Sequence, residues 1–341
     1  MDSTNGRNKR PNIAMMVPEF QEISKSAVEP HVNAFDSILD QDFFNIFKIQ
    51  VKGEQWFYRN VENEIFNVDK EDFSLFIKGK KIKFSIVILA VAVTQTWGFR
   101  GYLELIGMPY IGCGIQSAII ASNKGFSSKL VKEMGVVHVP KMVHLFKGTP
   151  FDIDEILATL TLPLFVKPAR RESSIGISKV KAKKELLSAI ENAFLQCWDG
   201  QVVIQECING REISCGAFKL NGKIVELPVT EILTEKEFFD YEAKYEPGMC
   251  EHITPAKIST ELAQQVQKSV VQLYQELNLR DFVRFDFILE EHTNSIYFLE
   301  VNVCPNHREG GMLMDQIQAA RLSIREIYSR LIYERLDMKY P

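Results

Sequence analysis

Between Asp281 and Asn306 the chain reads DFVRFDFILEEHTNSIYFLEVNVCPN, and this stretch narrows the folding problem more than any other. Two alternating apolar runs, 282–289 and 296–303, are separated by a polar Glu-His-Thr-Asn turn, which predicts a β-hairpin. A register that pairs Asp286 with Glu300 also sets Arg284 opposite Asn302. Because a strand repeats every second residue, all four side chains then share one face. Two carboxylates and an amide buried in so apolar a hairpin cost several kcal/mol without a compensating cation. Hard oxygen donors suit Mg2+, which commonly bridges carboxylates to the phosphates of a nucleotide. The structural alternative is an Arg284–Asp286 pair beside a solvated edge strand. Glu300 and Asn302 lie inside an apolar run, where solvated side chains are out of place, and this favours the metal reading.

With 341 residues the chain can bury two or three domain cores. A hydrophobic share of 46% beside 25% charged residues is that of a soluble globular protein and excludes a disordered one. A net charge of −4 and a pI near 6.0 give no electrostatic basis for binding nucleic acid. The basic cluster at Arg7-Asn8-Lys9-Arg10 sits in a polar stretch with no apolar segment at signal-peptide distance, so secretion is not expected. The longest apolar run, 84–93, is far short of the roughly 20 residues that span a bilayer and is expected to be a buried strand. The six cysteines show no Cys-x-x-Cys spacing, which suits a reduced, cytoplasmic chain, and the six scattered histidines offer no zinc site.

In chain order, strands are expected over 12–17, 84–93 and 109–112, strands or a hairpin around Gly53 over 44–51 and 55–66, and helices over 27–39 and 98–106. That alternation predicts an open α/β domain ending near residue 120. Beyond it, helices are expected over 122–134, 153–159, 186–197, 261–277 and 314–336, and strands over 136–143, 163–166, 177–180 and 201–207. Two strands flank Asn221-Gly222, a strong hairpin signal, and a long polar loop opens at FFDYEAKY, 238–245.

Several short pieces carry chemistry. Lys167 ends a strand and precedes a loop holding Ser173, Ser174 and Gly176, whose N–H and hydroxyl groups can close over phosphate oxygens. Glu206 and Glu212 flank Asn209-Gly210 between two strands, where a carboxylate can accept from ribose hydroxyls. Lys244 and Tyr245 end the charged loop. Read singly, each is matched by a bland alternative: a turn, a solvated loop carboxylate, a surface loop.

Taken in order they form one pattern. Lys124, Lys167-Pro168 with Ser173-Ser174-Ile175-Gly176, Gly210-Arg211-Glu212, the run Phe239-Asp240-Tyr241-Glu242-Ala243-Lys244-Tyr245, Arg284-Phe285-Asp286 and Leu299-Glu300-Val301-Asn302 resemble the D-alanine–D-alanine ligases of the ATP-grasp superfamily. The likeness covers roughly residues 100–305 and begins at Leu103-Glu104-Leu105-Ile106-Gly107-Met108-Pro109-Tyr110-Ile111-Gly112. It implies an α/β (α+β) chain with an ATP-grasp fold and an N-terminal Rossmann-like, pre-ATP-grasp domain. The implied boundaries are 1–121 for that substrate domain, 122–207 for a central ATP-grasp subdomain and 208–341 for a C-terminal one holding magnesium. By resemblance, Lys124 and Lys167 hold ATP phosphates, the segment from Gln205 and Glu206 to Ile208 meets the adenine, and Glu212 binds ribose. Ser173 and Ser174 belong to the phosphate-side loop; Phe238, Lys244 and Tyr245 belong to a loop that closes over ATP. Asp286, Glu300 and Asn302 match the magnesium ligands, two ions being implied and Mn2+ an alternative. The implied reaction has a donor carboxylate attack the γ-phosphate to give an acyl phosphate. An amine then attacks the acyl carbon, with Arg284 and a backbone N–H near Asn306 stabilising the oxyanion.

The departures fall on the substrate side. The family's Gly-Gly-x-Ser loop after the first strand is here Val17-Pro18-Glu19-Phe20-Gln21-Glu22, and its histidine–glycine motif is Val93-Thr94-Gln95-Thr96-Trp97-Gly98. After Pro305 the run is Asn306-His307-Arg308-Glu309-Gly310-Gly311-Met312, with Gly311 at the position of a serine that holds the acceptor carboxylate. Glu19 or Glu22 can still meet a donor ammonium, Arg308 can pair with an acceptor carboxylate, and Trp97 and Phe20 can line a bulkier donor site. The leading expectation is therefore an ATP-dependent carboxylate–amine ligase acting on small amino-acid-like substrates other than two D-alanines. A genuine D-alanine–D-alanine ligase of cell-wall synthesis and a non-catalytic nucleotide-binding protein are the alternatives. A homodimer is implied by the resemblance alone, and neither nucleic acid nor membrane is an expected partner.

Overall fold

Strand β1 (Asn12–Pro18) sends its side chains alternately into two cores, Ile13 and Met15 into one and Ala14 and Met16 into the other, all buried. A strand apolar on both faces belongs inside a sheet covered on both sides. It lies between β2 (Asn45–Lys52) and β7 (Ile86–Leu89), parallel to both, and β8 (Tyr110–Ile111) continues the parallel row beyond β7. The computed structural model describes residues 10–18, 32–89, 96–171, 174–234 and 250–340. Within them the apolar run expected to be a strand over 84–93 is strand up to Leu89, and its remainder lies outside the described residues.

On the far side of β2 the sheet turns antiparallel through β3 (Gln55–Arg59), β4 (Ile65–Asp69), β5 (Ser74–Ile77) and β6 (Lys80–Lys83), giving eight strands in the order β6-β5-β4-β3-β2-β1-β7-β8. The single strand expected over 55–66 is thus two. Asn60 Oδ1 accepts from the N–H groups of Glu62 and Glu64 and turns the chain between them. Helix α1 (residues 32–38) and α2 (Thr96–Leu105) cover the two faces, α1 through Val32, Phe35 and Ile38 and α2 through Phe99 and Leu103.

Two further sheets follow. The first has the order β11-β10-β12-β9, from β9 (Met142–Phe146), β10 (Leu164–Pro168), β11 (Ser178–Val180) and β12 (Gln201–Glu206), all antiparallel. The strand expected over 136–143 is displaced: Pro140 removes a donor, His138 makes only an isolated bridge to Tyr297, and regular pairing begins at Met142. The second is built from β13 (Gly210–Leu220), β14 (Lys223–Glu226), β15 (Thr230–Thr234), β16 (Cys250–Ile253), β17 (Val283–Glu290) and β18 (Ile296–Asn302). Its order is β16-β15-β13-β17-β18, with β14 on the end of β13. The Asn221-Gly222 turn forms as expected, both residues at positive φ (51° and 73°).

Two helices differ from expectation, each where a polar residue competes for backbone donors. The helix expected over 122–134 starts two residues late as α4 (Lys124–Met134), divided from a separate helix α3 (Ile115–Ser122) by Asn123, whose extended backbone frees Oδ1 to accept from Gly125 and Phe126 N–H. Helices α5 (Ile153–Thr159), α6 (Lys183–Gln196) and α7 (Thr260–Glu276) cover the two later sheets. The closing helix expected over 314–336 is two, α8 (Met312–Ala319) and α9 (Ile324–Arg335). Arg321 takes φ 55° between them, and Ser323 caps α9 by accepting from Glu326 N–H.

The chain closes on itself: Ile327, Leu331 and Ile332 of α9 share one core with Ile13, Phe35 and Ile88 near the start. A buried polar hub locks this closure. Asp281, 2% exposed, accepts from Arg335 Nη2 at 3.1 and 3.2 Å and from Gly112 N–H at 2.6 Å. Arg335 Nη1 donates to Tyr110 O at 3.0 Å, and Arg280 Nε to Gly112 O at 2.7 Å. Burial pushes the Asp281 carboxyl up, against the opposing pull of Arg335 and the Gly112 N–H. Asp281→Ala leaves Arg335 facing carbonyls alone, and we expect a loss of about 2–3 kcal/mol in urea unfolding. A loss below about 0.5 kcal/mol would mean that the hub contributes no more than a solvated surface pair.

Candidate nucleotide and metal site

The hairpin of β17 and β18 forms in the register that its alternation predicts: Arg284 pairs with Asn302 and Asp286 with Glu300. Immediately beyond, Phe287 pairs with Phe298, so Leu299 is the extra residue of a bulge. Phe285 and Phe287 point into the α7 core, which leaves Arg284 and Asp286 for the opposite face. Asp286 is 4% exposed and fully engaged: Arg284 Nε and Nη2 donate to its two oxygens at 2.9 and 2.8 Å, and Asn302 Nδ2 donates to Oδ2 at 2.9 Å. Burial alone would pull Arg284 down, but the facing carboxylates of Asp286, Glu300 and Glu212 outweigh it and its pKa is raised. The Arg284–Asp286 pair offered as the structural alternative is therefore present, but buried and beside Glu300 rather than on a solvated edge.

One partner of Asp286 was not anticipated. Ser214 Oγ, fully buried on β13, donates to Asp286 Oδ1 at 2.7 Å. The strand register pairs Ser214 with Asp286 and sets Glu212 two residues away on the same face. The spacing Glu212-x-Ser214 was the available signal, but its value depends on which strand lies alongside. Gln316 of α8 holds this part of β13 in place: its Nε2 donates to Ser214 O and Thr230 Oγ1, each at 3.0 Å, and its Oε1 accepts from Gly216 N–H at 2.9 Å.

Lys124 arrives from the first turn of α4. Its N–H donates to Ala169 O at 2.8 Å, and Nζ lies 3.1 Å from Glu300 Oε2 and 2.9 Å from Arg171 O. Lys167, 8% exposed, comes from β10 just before the same loop. Ser174 sits in that loop at φ 57°. Lys124 thus reaches both the loop that follows β10 and the acidic face of the hairpin, and Lys167 stands on β10 just ahead of that loop. Of the residues expected at the adenine, Gln205 is buried, Glu206 accepts from Thr161 N–H and faces Lys141, and Ile208 is half-buried in the link to β13.

On the substrate side, Asn306 Oδ1 accepts from Arg308 N–H at 2.8 Å, and Arg308 O accepts from Gly311 N–H at 3.0 Å, so residues 306–311 form a closed turn ahead of α8. A Cβ on Gly311 would lie 3.0 Å from Arg308 O and 3.4 Å from Arg308 Cγ, so a serine there requires the turn to shift. Met312 is buried as the first residue of α8. Trp97, expected to line a donor site, lies under the Arg170 guanidinium at 3.6 Å, which joins α2 to the loop after β10. His252 was also missed: in register it lies across Ile232 from Glu212, with Nδ1 3.9 Å from Asp315 Oδ2. Burial, then Arg284 and Arg308, push its pKa down. Nothing in its four-residue strand marks it in the sequence. Glu19, Phe20, Glu22, Ser173, Phe238, Lys244 and Tyr245 lie outside the described residues.

The donor set fits a hard divalent cation: two carboxylates and an amide on facing strands, with cationic neighbours that phosphate oxygens can engage. Among the described residues no three His, Cys, Asp or Glu come together.

The presentation of Lys124 depends on Gly125. A Cβ at Gly125 would fall 2.3 Å from Cε1 of His144, whose ring lies against the helix start. Gly125→Ala should therefore destabilise the fold by about 1–3 kcal/mol despite alanine's better helix propensity, and His144→Ala should relieve much of that loss. Burial, then Lys129, push His144 down to about 4, below its ordinary 6.5. The folded form holds it neutral while the unfolded chain protonates it, so its contribution is complete above pH 6.5 and is lost as pH falls toward 4. His144→Gln should flatten unfolding free energy over that window by on the order of 2 kcal/mol, measured against the natural chain in urea.

The family profile described as D-ala D-ala ligase C-terminus matches residues 130–333. A D-alanine–D-alanine ligase of Flavobacterium johnsoniae is 35% identical over 302 residues, 88% of this chain and 92% of the relative. One of Parabacteroides distasonis is 33% identical over 302 residues, covering 88% and 90%. Among solved structures, the VanG D-Ala:D-Ser ligase from Enterococcus faecalis superposes with a TM-score of 0.82 at 26% identity, covering 96% of this chain and 100% of that one. The D-alanine–D-alanine ligase from Bacillus anthracis complexed with ATP gives 0.74 at 26% identity, covering 97% and 98%. The three sheets, the paired hairpin and these likenesses together make the chain a member of the D-alanine–D-alanine ligase family, an ATP-grasp enzyme that forms carbon–nitrogen bonds.

Proposed function

We propose that this protein is an ATP-dependent D-alanine–D-alanine ligase working through an acyl phosphate. This takes up the alternative, not the leading expectation, of the sequence reading. The observation that carries it is 35% identity spread over 88% of the chain to a ligase of that name. The site geometry agrees: Asp286 and Glu300 face each other across the hairpin within reach of Arg284 and Lys124.

In this reading Lys124 and Lys167 hold the triphosphate, Glu212 meets the ribose, and Gln205, Glu206 and Ile208 lie along the adenine. Ser173, Ser174, Phe238, Lys244 and Tyr245 complete the enclosure of the nucleotide and keep water from the acyl phosphate. Asp286, Glu300 and Asn302 would hold one or two Mg2+ ions, which supply charge neutralisation on the phosphoryl oxygens when bound. The donor carboxylate attacks the γ-phosphorus, and ADP leaves. The acceptor amine then attacks the acyl carbon, Arg284 and the backbone at Asn306 meet the oxyanion, and phosphate leaves. Glu19 and Glu22 are assigned to the donor ammonium, and Arg308, Gly311 and Met312 to the acceptor side. The boundaries near residues 121 and 207 fall between the three sheets, in keeping with a substrate domain followed by two ATP-grasp subdomains. Among the described residues no helix is long and apolar enough to cross a membrane. We further propose, from the resemblance alone, a cytoplasmic homodimer.

A second reading, an acceptor other than D-alanine, is favoured by one observation: the Arg308–Gly311 turn leaves little room for the serine the family uses there. ADP release driven by D-alanine alone, with the dipeptide identified by mass, is the expected result. Indifference to D-alanine, with turnover on a mixture of D-alanine and another amine, would transfer the assignment to the second reading. Asp286→Asn should reduce ADP formation by at least about a hundredfold; because it also takes the charge partner from the buried Arg284, the thermal midpoint is measured alongside to separate lost chemistry from lost fold. Undiminished turnover would remove Asp286 from the site.

A further inference from the structure

Both carboxylates of the candidate cation site already hold a positive partner, and those partners are the cations assigned above to the substrates. Lys124 Nζ stands 3.1 Å from Glu300 Oε2, with side-chain exposures of 13% and 26%. Arg284 spans the two oxygens of Asp286 at 2.9 and 2.8 Å. The pairs are neighbours because Asp286 faces Glu300 across the hairpin. A ligand entering this site has to take the place of a resident partner.

We propose that Glu300 is a specificity-determining residue: by holding Lys124 until a divalent cation replaces it, Glu300 makes the site accept the metal–nucleotide complex and refuse metal-free nucleotide. The proposal rests on the nucleotide–metal reading given above. A metal-free triphosphate recruits Lys124 only by stripping it from Glu300. The uncovered carboxylate then faces phosphate oxygens in a partly buried place, where like charges are weakly screened. With a divalent cation on Glu300 the balance reverses. The carboxylate stays compensated, and Lys124 is released toward the phosphates. The lysine need not travel far, because its N–H is fixed on Ala169 O at 2.8 Å and Nζ already donates to Arg171 O at 2.9 Å. Released from Glu300, it remains beside the phosphate-side loop. Asp286 is tied also to Ser214 and Asn302.

The test is equilibrium binding of ATP to the full chain without amino-acid substrates, by calorimetry, once in EDTA and once in saturating Mg2+. Glu300→Gln keeps the side chain's size and removes its charge. In EDTA it should bind ATP about five- to tenfold more tightly than the natural chain, whereas in Mg2+ it should bind at least about tenfold more weakly. In a Lys124→Met background the same substitution should give no gain in EDTA. Equal or weaker metal-free binding by Glu300→Gln, with the Mg2+ loss intact, overturns the exchange and leaves the metal reading standing. A gain that persists without Lys124 also overturns it, since plain repulsion would then suffice. Unchanged affinity in Mg2+ overturns the metal reading underneath. Matching thermal midpoints for the variants exclude misfolding as the cause of any difference.

Discussion

Asp286, nearly dry, accepts hydrogen bonds from the Arg284 fork, Ser214 and Asn302, and the rest of the molecule can be understood from what that arrangement requires. A buried carboxylate is tolerated only when its lone pairs are met and its charge is balanced. Two partners come from the hairpin itself, through a register fixed by the aromatic residues on its other face. The third comes from β13, which has to lie beside β17 in one register for Ser214 to reach it. A one-residue slip of either strand would turn these side chains into the α7 core.

Delivering Lys124 to the same face takes a second piece of engineering in the chain. The break at Asn123 starts a fresh helix whose first residue is Lys124, and the Asn123 side chain satisfies the N–H groups that the break exposes. His144 fills the space over Gly125, so any side chain at that position would collide with its ring. The C-terminal helices then fasten the outer sheets together. Gln316 pins α8 to β13, and the Asp281–Arg335 hub ties the end of the first sheet to the approach of β17. The site is thus held by polar contacts between units that also share an apolar core, in which Ile13 and Ile88 of the first sheet join Phe218 of β13 and Phe282 before β17.

Local pattern was enough for much of this. Alternation in 282–303 gave the hairpin and its pairing, Asn221-Gly222 gave its turn, and the apolar strands near the start gave the parallel core, because side-chain periodicity and turn chemistry act over a few residues. The errors share a cause. A helix or strand drawn through 122–134, 314–336 or 55–66 ignores single polar residues, Asn123, Ser323 and Asn60, that take backbone donors for themselves. The short hairpin over 74–83 and strand β16 carry too few residues for alternation to register.

The sequence by itself determined the ligand chemistry: which oxygen donors and cations exist, and that Asp286, Glu300, Arg284 and Asn302 share a face. Only the tertiary structure decided how those charges are balanced among themselves. Ser214 and His252 join the site through strands far away in the chain, Lys124 reaches Glu300 of β18 from helix α4, and Trp97 meets Arg170 across the first and second units. Such contacts depend on where separate elements stop and how they pack, and neither is written in the spacing of residues within one element.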